Sequence, residues 1–184
     1  MENKLKWGCI QPLTGGMYLG AEEAIGHPAE WILSFNGLDD VKYDKDNNIV
    51  SAGNEYNLIK YLEDHNRCPE YYKIYEHGMF STDIDNYNPV IKHNDVLKTP
   101  NYSDIDLVVA VPVCSGLSMA TSGSKENKDT KNNNMLWITN YTLKVIQPKI
   151  YIFENAPTMM GSRGDDLRIK LEEIAKNMGY SILY

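Results

Sequence analysis

Long apolar runs are missing from this sequence of 184 residues. None approaches the ~18 residues that a membrane-spanning helix needs, which argues against a helical membrane protein. Cysteine is scarce too. Cys9, Cys68 and Cys114 are odd in number, far apart and outside any C-x-x-C pair, so neither a disulfide framework nor a zinc-ligand pattern is present. Reduced thiols in a cytoplasmic setting are the expectation. The first residues, Met1 to Trp7, contain no apolar core and no small-residue cleavage site, so they do not form a secretory signal. The Asn101-Tyr-Ser and Asn140-Tyr-Thr triplets therefore carry no weight as glycosylation sites. Positive charge is the last shortage: 18 Lys and Arg face 25 Asp and Glu, for a net charge of −7. A free-standing nucleic-acid binder needs a basic footprint. On charge alone, nucleic acid is a poor partner for this chain by itself.

What is present describes an ordinary globular domain. Hydrophobic residues make up 42% and charged residues 23%, and the length suits one domain over residues 1–184 with a sizeable core. Lys6 to Ile10 reads as a strand, followed by the small-residue turn "QPLTGGMYLG". Met17 to Ala24 reads as a helix with Gly26 as its stop, and Trp31 to Phe35 as a second strand. Residues 36–50, rich in Asp and Asn, predict a loop or hairpin. Asn54 is placed to cap a helix whose apolar face is Leu58, Ile59 and Leu62. Residues 66–93 give no clear pattern.

The continuous run in "IDLVVAVP" predicts a central parallel strand covered on both faces. Residues 120–134 are polar and read as a mobile loop. A helix from about Met135 to Ile146, stopped by Pro148, leads into a buried strand, "KIYIFEN". Leu167, Leu171, Ile174 and Met178 recur at helical spacing, Gly179 supplies a stop, and "YSILY" begins a last strand. Strands alternating with helices imply right-handed crossovers and an α/β, doubly wound, mostly parallel sheet. An end at Tyr184, inside or just after a strand, suggests that part of the sheet is supplied elsewhere.

In such a sheet, ligands gather beyond the carboxyl ends of the strands. Three segments place small or polar residues there: "PLTGGMYLG", "VPVCSGLS" and "FENAP". Gly15 and Gly16 lie between strand and helix, where the backbone either approaches a ligand or simply turns. Cys114, at a strand end, is either an exposed thiol or a small core filler. Glu154 and Asn155 face a cleft or cap a surface loop, since a buried lone carboxylate is costly.

Taken together, in this order and spacing, these segments resemble the DNA (cytosine-5) methyltransferases, especially the phage-type members. "PLTGGMYLGAEEAIG" looks like the family's first cofactor motif, "NDVLK" like the short motif whose acid meets the adenine amino group, "VPVCSGLS" like the catalytic loop and "FENAP" like the Glu-Asn motif. "LEEIAKNMGYSILY" matches the helix and strand that follow. Residues 37–90 match nothing in that pattern. The resemblance implies a Rossmann-like methyltransferase fold and S-adenosyl-L-methionine as cofactor. By motif, Cys114 is implied as the nucleophile toward carbon 6 of cytosine. Glu154 is implied as the group on ring nitrogen 3, and Asn155 as the residue that orients loop and base. Gly15, Gly16, Leu19, Asn36, Asp95 and Pro112 are implied as cofactor contacts, with no metal. The substrate is DNA, with the target base flipped from the duplex, and the setting is the cytoplasm, that of a bacterial host if the protein is phage-encoded.

The sequence departs from the pattern at several points. Val113 stands where proline normally precedes the cysteine, with Pro112 one place earlier. Gln11 replaces the first-motif aromatic and Leu13 its first glycine. Asn36 takes the place of the ribose-binding acid. The family's Gln-x-Arg-x-Arg motif and target-recognition region are not found. Two functions therefore stand side by side. One is the N-terminal half of a split cytosine-5 methyltransferase, which meets DNA together with a second chain in a hetero- or homo-oligomer. The other is a catalytically degenerate methyltransferase fold kept as a binding or structural subunit. An RNA or nucleotide methyltransferase is not separable from a DNA enzyme by sequence.

Overall fold

Trp7–Ile10 are all buried, and this first strand, β1, organises the domain. The computed structural model describes residues 4–34, 42–43, 45–46, 49–51, 54–69, 71–74, 102–112, 117, 135–162 and 164–184. After β1 come α1 (Gly16–Ile25), β2 (Trp31–Ser34), the short strands β3 (Lys42–Tyr43) and β4 (Ile49–Ser51), α2 (Asn54–Asp64), β5 (Tyr71–Ile74) and β6 (Leu107–Ala110). A helix over residues 135–141, α3, continues into a π-helical turn, Thr142–Ile146. Then follow β7 (Ile150–Phe153), a 3-10 turn at Pro157–Met160 and α4 (Asp165–Asn177).

The main sheet has the order β5-β2-β1-β6-β7, and its four neighbouring pairs are all parallel. β3 and β4 form a separate antiparallel pair, the hairpin that the Asp- and Asn-rich stretch predicts. Successive strands step outward from β1 through β2 to β5, and the chain then returns to the other side of β1 for β6 and β7. The strand order thus reverses between β1 and β6, the switch point at which open α/β sheets bind ligands.

Alternation along the strands divides the core between two faces. Trp7, Cys9, Ile32 and Val109 pack with Tyr18 of α1 and Leu58, Ile59 and Leu62 of α2. Ile10, Trp31, Leu33, Val108 and Ala110 pack on the other face with Trp137, Ile138, Tyr141 and Ile146. β6 is therefore covered on both faces, as its continuous apolar run predicts. α3 is buried all round, because Met135, Leu136 and Leu143 turn away from the sheet into a third cluster with Leu167, Leu171 and Ile174 of α4. Thr142 donates its hydroxyl to Ile138 O at 2.8 Å, and this back-bonding accompanies the widening of the helix into its π-turn. The turn ends at Gln147, in the left-handed region, directly before Pro148.

Several expectations are corrected. Residues 66–93 contain a strand, β5, at the sheet edge. β7 is not buried: Tyr151 and Phe153 pack inward, but Ile150 and Ile152 on the α1/α2 face are 54% and 46% exposed. A continuous apolar run says that both faces can be covered, and here only one is. "YSILY" forms no strand. The segment folds back onto its own domain, with Tyr180 donating to Pro148 O at 2.6 Å and Tyr184 to Glu172 Oε1 at 2.5 Å. Burial, and then that hydrogen bond, push the Tyr184 phenol up to about 12. Met178 completes the helical spacing but caps α4 as an exposed residue. The predicted loop at 120–134 lies outside the described residues.

At the opposite rim of the sheet, Asp106 accepts hydrogen bonds from Lys149 Nζ at 2.6 Å and from the Lys6 backbone N–H at 2.8 Å. The lysine, then the amide, hold its carboxyl below the ordinary aspartate value. The charged form is favoured in the folded state. Its contribution is therefore complete above the unfolded value of about 3.9 and is lost as pH falls through the lower folded value. Urea midpoints measured between about pH 5 and pH 2 should fall more steeply for the native chain than for Asp106→Asn. Parallel profiles would show that the contact contributes nothing to folding.

Candidate functional site

Three loops converge beyond the carboxyl ends of β1, β6 and β7. The first runs from Gln11 to Gly16. Gly15 sits at φ +85° as the N-cap of α1 and donates its N–H to Pro12 O at 2.8 Å. A Cβ there would lie 2.6 Å from Leu58 Cδ1, so this glycine is required by the turn and by the close approach of α2. Gly16 differs: a Cβ on it would meet nothing within 4 Å, so the first turn of α1 opens on free space. Leu13 holds φ +47°, so the left-handed backbone suited to glycine persists although the residue is leucine. Leu19 donates its N–H to Gly15 O at 2.9 Å and packs against the cluster between α1 and the sheet.

The second loop follows β6. Val111 N–H reaches Ile10 O at 3.4 Å, Pro112 is buried, and Leu117 is buried in the third cluster. The third loop follows β7. Glu154 N–H donates to Ala110 O at 3.1 Å, extending the sheet by one residue and leaving the Glu154 side chain exposed. Asn155 reaches two ways, donating Nδ2–H to Pro112 O at 3.1 Å and accepting the Ala156 N–H at Oδ1 at 2.9 Å. Thr158, on the 3-10 turn, donates its hydroxyl to Leu117 O at 3.0 Å.

The Glu-Asn segment therefore holds the post-β6 loop at both ends, Pro112 and Leu117, with two neutral hydrogen bonds. Thr158 itself sits on a braced turn. A Cβ on Gly164 would come within 2.2 Å of Met159 O, and Arg168 donates Nη1–H to the same oxygen at 3.5 Å while pairing with Asp165 at 2.7 Å. Sequence reasoning missed Thr158, since a hydroxyl two residues past the motif carries no pattern of its own.

Of the predicted site residues, Gly15, Gly16, Leu19, Pro112, Glu154 and Asn155 are placed, and Pro112 and Asn155 are brought into contact. Cys114, Asn36 and Asp95 lie outside the described residues. The two described cysteines are poor nucleophile candidates. Cys9 is fully buried, and burial pushes the Cys68 thiol up to about 11, well away from a thiolate at neutral pH. No helix among the described residues is long and apolar enough to cross a membrane.

A parallel α/β sheet with helices on both faces and polar loops at its switch point is the Rossmann-like architecture of methyltransferases. Residues 55–184 match the model of the C-5 cytosine-specific DNA methylases, and the chain belongs to that family. The matched span includes the post-β6 and Glu-Asn loops and begins after the β1–α1 turn. The chain is also similar to the type II methyltransferase M1.HphI of Haemophilus parahaemolyticus, with 24% identity over 92 residues. That stretch covers 50% of this chain and 25% of the relative.

Proposed function

We propose that this chain carries the catalytic part of an S-adenosylmethionine-dependent DNA (cytosine-5) methyltransferase that meets DNA in the cytoplasm together with further polypeptide. One observation supports this above the others: Asn155 and Thr158 bind the two ends of the segment containing Cys114. Two such bonds on one short segment hold it in one position relative to Glu154.

The residues present fit the cofactor. Gly16 leaves room at the start of α1, whose first-turn N–H groups lack helical partners, and Gly15, Leu19, Asn36, Asp95 and Pro112 would complete its contacts. When bound, the cofactor supplies an electrophilic methyl group. Cys114, as thiolate, adds to carbon 6 of a flipped cytosine. Glu154, exposed at the strand end, holds or protonates ring nitrogen 3, so that carbon 5 becomes the nucleophile. Loss of the carbon 5 proton and departure of the Cys114 thiolate then restore the aromatic ring. Asn155 keeps the thiol and the base in register.

Completion by further polypeptide draws support from three sources. Ile150 and Ile152, on the α1/α2 face of the edge strand β7, are half exposed. Beside it lies an apolar groove of about 720 Å³ between β7, α4 and the Tyr180–Tyr184 segment. The net charge of −7 leaves DNA contacts to be supplied elsewhere. A second reading, a degenerate fold kept as a binding or structural subunit, draws on Leu13 in a glycine conformation.

The deciding experiment incubates the chain, with a candidate second chain and S-adenosylmethionine, on a duplex containing 5-fluorocytosine. A covalent complex formed by the native chain and lost in Cys114→Ser is expected. No complex, while the chain still binds the cofactor, would favour the degenerate subunit.

A further inference from the structure

In α1 the buried pair of residues is Tyr18 and Glu22, four apart on one face of the helix. Tyr18 packs on Trp7, with ring centroids 5.2 Å apart. Glu22 is the anomaly, a carboxylate with its side chain 8% exposed where leucine would bury without loss of hydration. Its charge is met by Arg67, whose Nε donates to Oε1 at 3.1 Å and whose Nη2 donates to Oε2 at 2.8 Å. Both oxygens are thus matched to one edge of the guanidinium, the most directional form of an arginine–carboxylate pair.

The guanidinium is itself held in place. α2 stops at a left-handed Asn66, with φ +55°. Asn66 N–H donates to Glu63 O at 3.1 Å, and Arg67 N–H to Leu62 O at 2.8 Å. This is the bonding of a Schellman stop, and it fixes the backbone from which Arg67 reaches α1. Arg67 Nη1 donates to the Tyr61 hydroxyl at 3.3 Å, and Cζ stands 5.8 Å from the centroid of that ring. Further back along α2, Leu58 closes on Gly15, the N-cap of α1. α2 therefore meets α1 at both ends, Leu58 against the Gly15 turn and Arg67 against the last turn.

We infer that Arg67 is a positioning residue for cofactor binding: through Glu22 it fixes where α1 stands, and with it the Gly15–Gly16 turn. The inference rests on the cofactor reading above. Glu22 lies two turns along α1 from Gly16, about 9 Å of rigid helix, so a slide or rotation at Glu22 is delivered to the first turn. Apolar contacts between the two helices tolerate such a slide, because they are non-directional. A bidentate ion pair permits one arrangement. Breaking a buried pair is strongly destabilising, whereas replacing both partners by apolar residues is often neutral. Stability and position can therefore be separated.

The test measures thermal unfolding, and affinity for S-adenosylhomocysteine by titration calorimetry well below the melting temperature. The proteins are the native chain, Glu22→Leu/Arg67→Met and Arg67→Lys. The double variant is expected to melt close to the native chain yet bind about 10-fold more weakly, because the turn is no longer preorganised. Arg67→Lys keeps the charge but not the fork, so it should fold and lose affinity similarly. If the double variant does not fold, the lysine variant decides alone. A pair that serves stability only predicts native affinity in every folded variant. That result overturns the inference and leaves the cofactor reading standing. A native chain that binds no S-adenosylhomocysteine overturns both.

Discussion

Truncating Asn155 to alanine is expected to lower methyl transfer by the completed enzyme about 100-fold, in kcat more than in KM. The argument starts from the two bonds of one amide. Nδ2–H holds Pro112 O at 3.1 Å and Oδ1 holds the Ala156 N–H at 2.9 Å, so the side chain ties the loop after β6 to the turn after β7. Losing both at a partly buried site costs about 2 kcal/mol of stability, which leaves most domains folded. The larger effect falls on position, because a reacting group displaced by about 1 Å can lose two orders of magnitude in rate. Asn155→Asp keeps the bond to Ala156 but turns a negative oxygen toward the Pro112 carbonyl, so it should be no better than alanine. Thr158→Val removes the other anchor, at Leu117, and Thr158→Ser restores it. Because both anchors act on one segment, their losses should not add. Amide exchange at Val111 and Leu117 in the chain alone gives a second readout. An alanine variant with native kcat and native exchange would remove the tether from the mechanism.

The parts of this domain that could be read in advance are those written in local pattern. β1, α1, α2 and α4 follow from apolar spacing and glycine stops, and β6 from a run that can be buried only if helices cover both of its faces. β5 was not legible, because "YYKI" lies in a tyrosine-rich stretch and its strand conformation comes from pairing with β2, a contact across more than thirty residues. β7 misled in the other direction. The run "IYIF" specifies a strand but not how many neighbours it has, and Ile150 and Ile152 are left half exposed. Likewise "YSILY" has strand propensity, yet propensity without a pairing partner is a weak prior, and its tyrosines bond α4 and Pro148 instead.

At the site, sequence located the three loops but not how they are joined. The carbonyl acceptors at Pro112 and Leu117 belong to the backbone, which every residue carries, so no residue type announces them. Gln11 and Leu13 stood out as departures from a pattern. The structure gives each a physical character, an orphaned amide and a left-handed backbone respectively. Gly15 and Gly16, adjacent and alike in sequence, prove to serve different ends: one yields to Leu58, and the other faces open space.

Gly8→Ala, the addition of one methyl group, is expected to destabilise the domain by about 3 kcal/mol. Gly8 lies in the middle of β1, directly opposite Trp31 of β2, and faces the side of the sheet that carries α3. A Cβ there would fall 2.2 Å from Trp31 Cζ2 and 2.3 Å from Cε2, far inside van der Waals contact. The indole has nowhere to retreat. It is buried among Ile10, Leu33, Trp137 and Ile138, and its ring meets Tyr102 edge-on at 5.4 Å between centroids. The strand must therefore shift, and β1 is hydrogen-bonded on both sides, so the shift would spread into β2 and β6 and the loops that they carry. Glycine is here because the indole occupies the space of its side chain, which overrides its weak strand propensity. The cause can be isolated by coupling. Trp31→Leu alone leaves a cavity and should cost about 3 kcal/mol. In that background the methyl group at position 8 gains room, so Gly8→Ala should cost less than about 1 kcal/mol. Urea unfolding of the four proteins measures both steps, and an alanine cost that is the same in either background would show that the indole does not lie over Gly8.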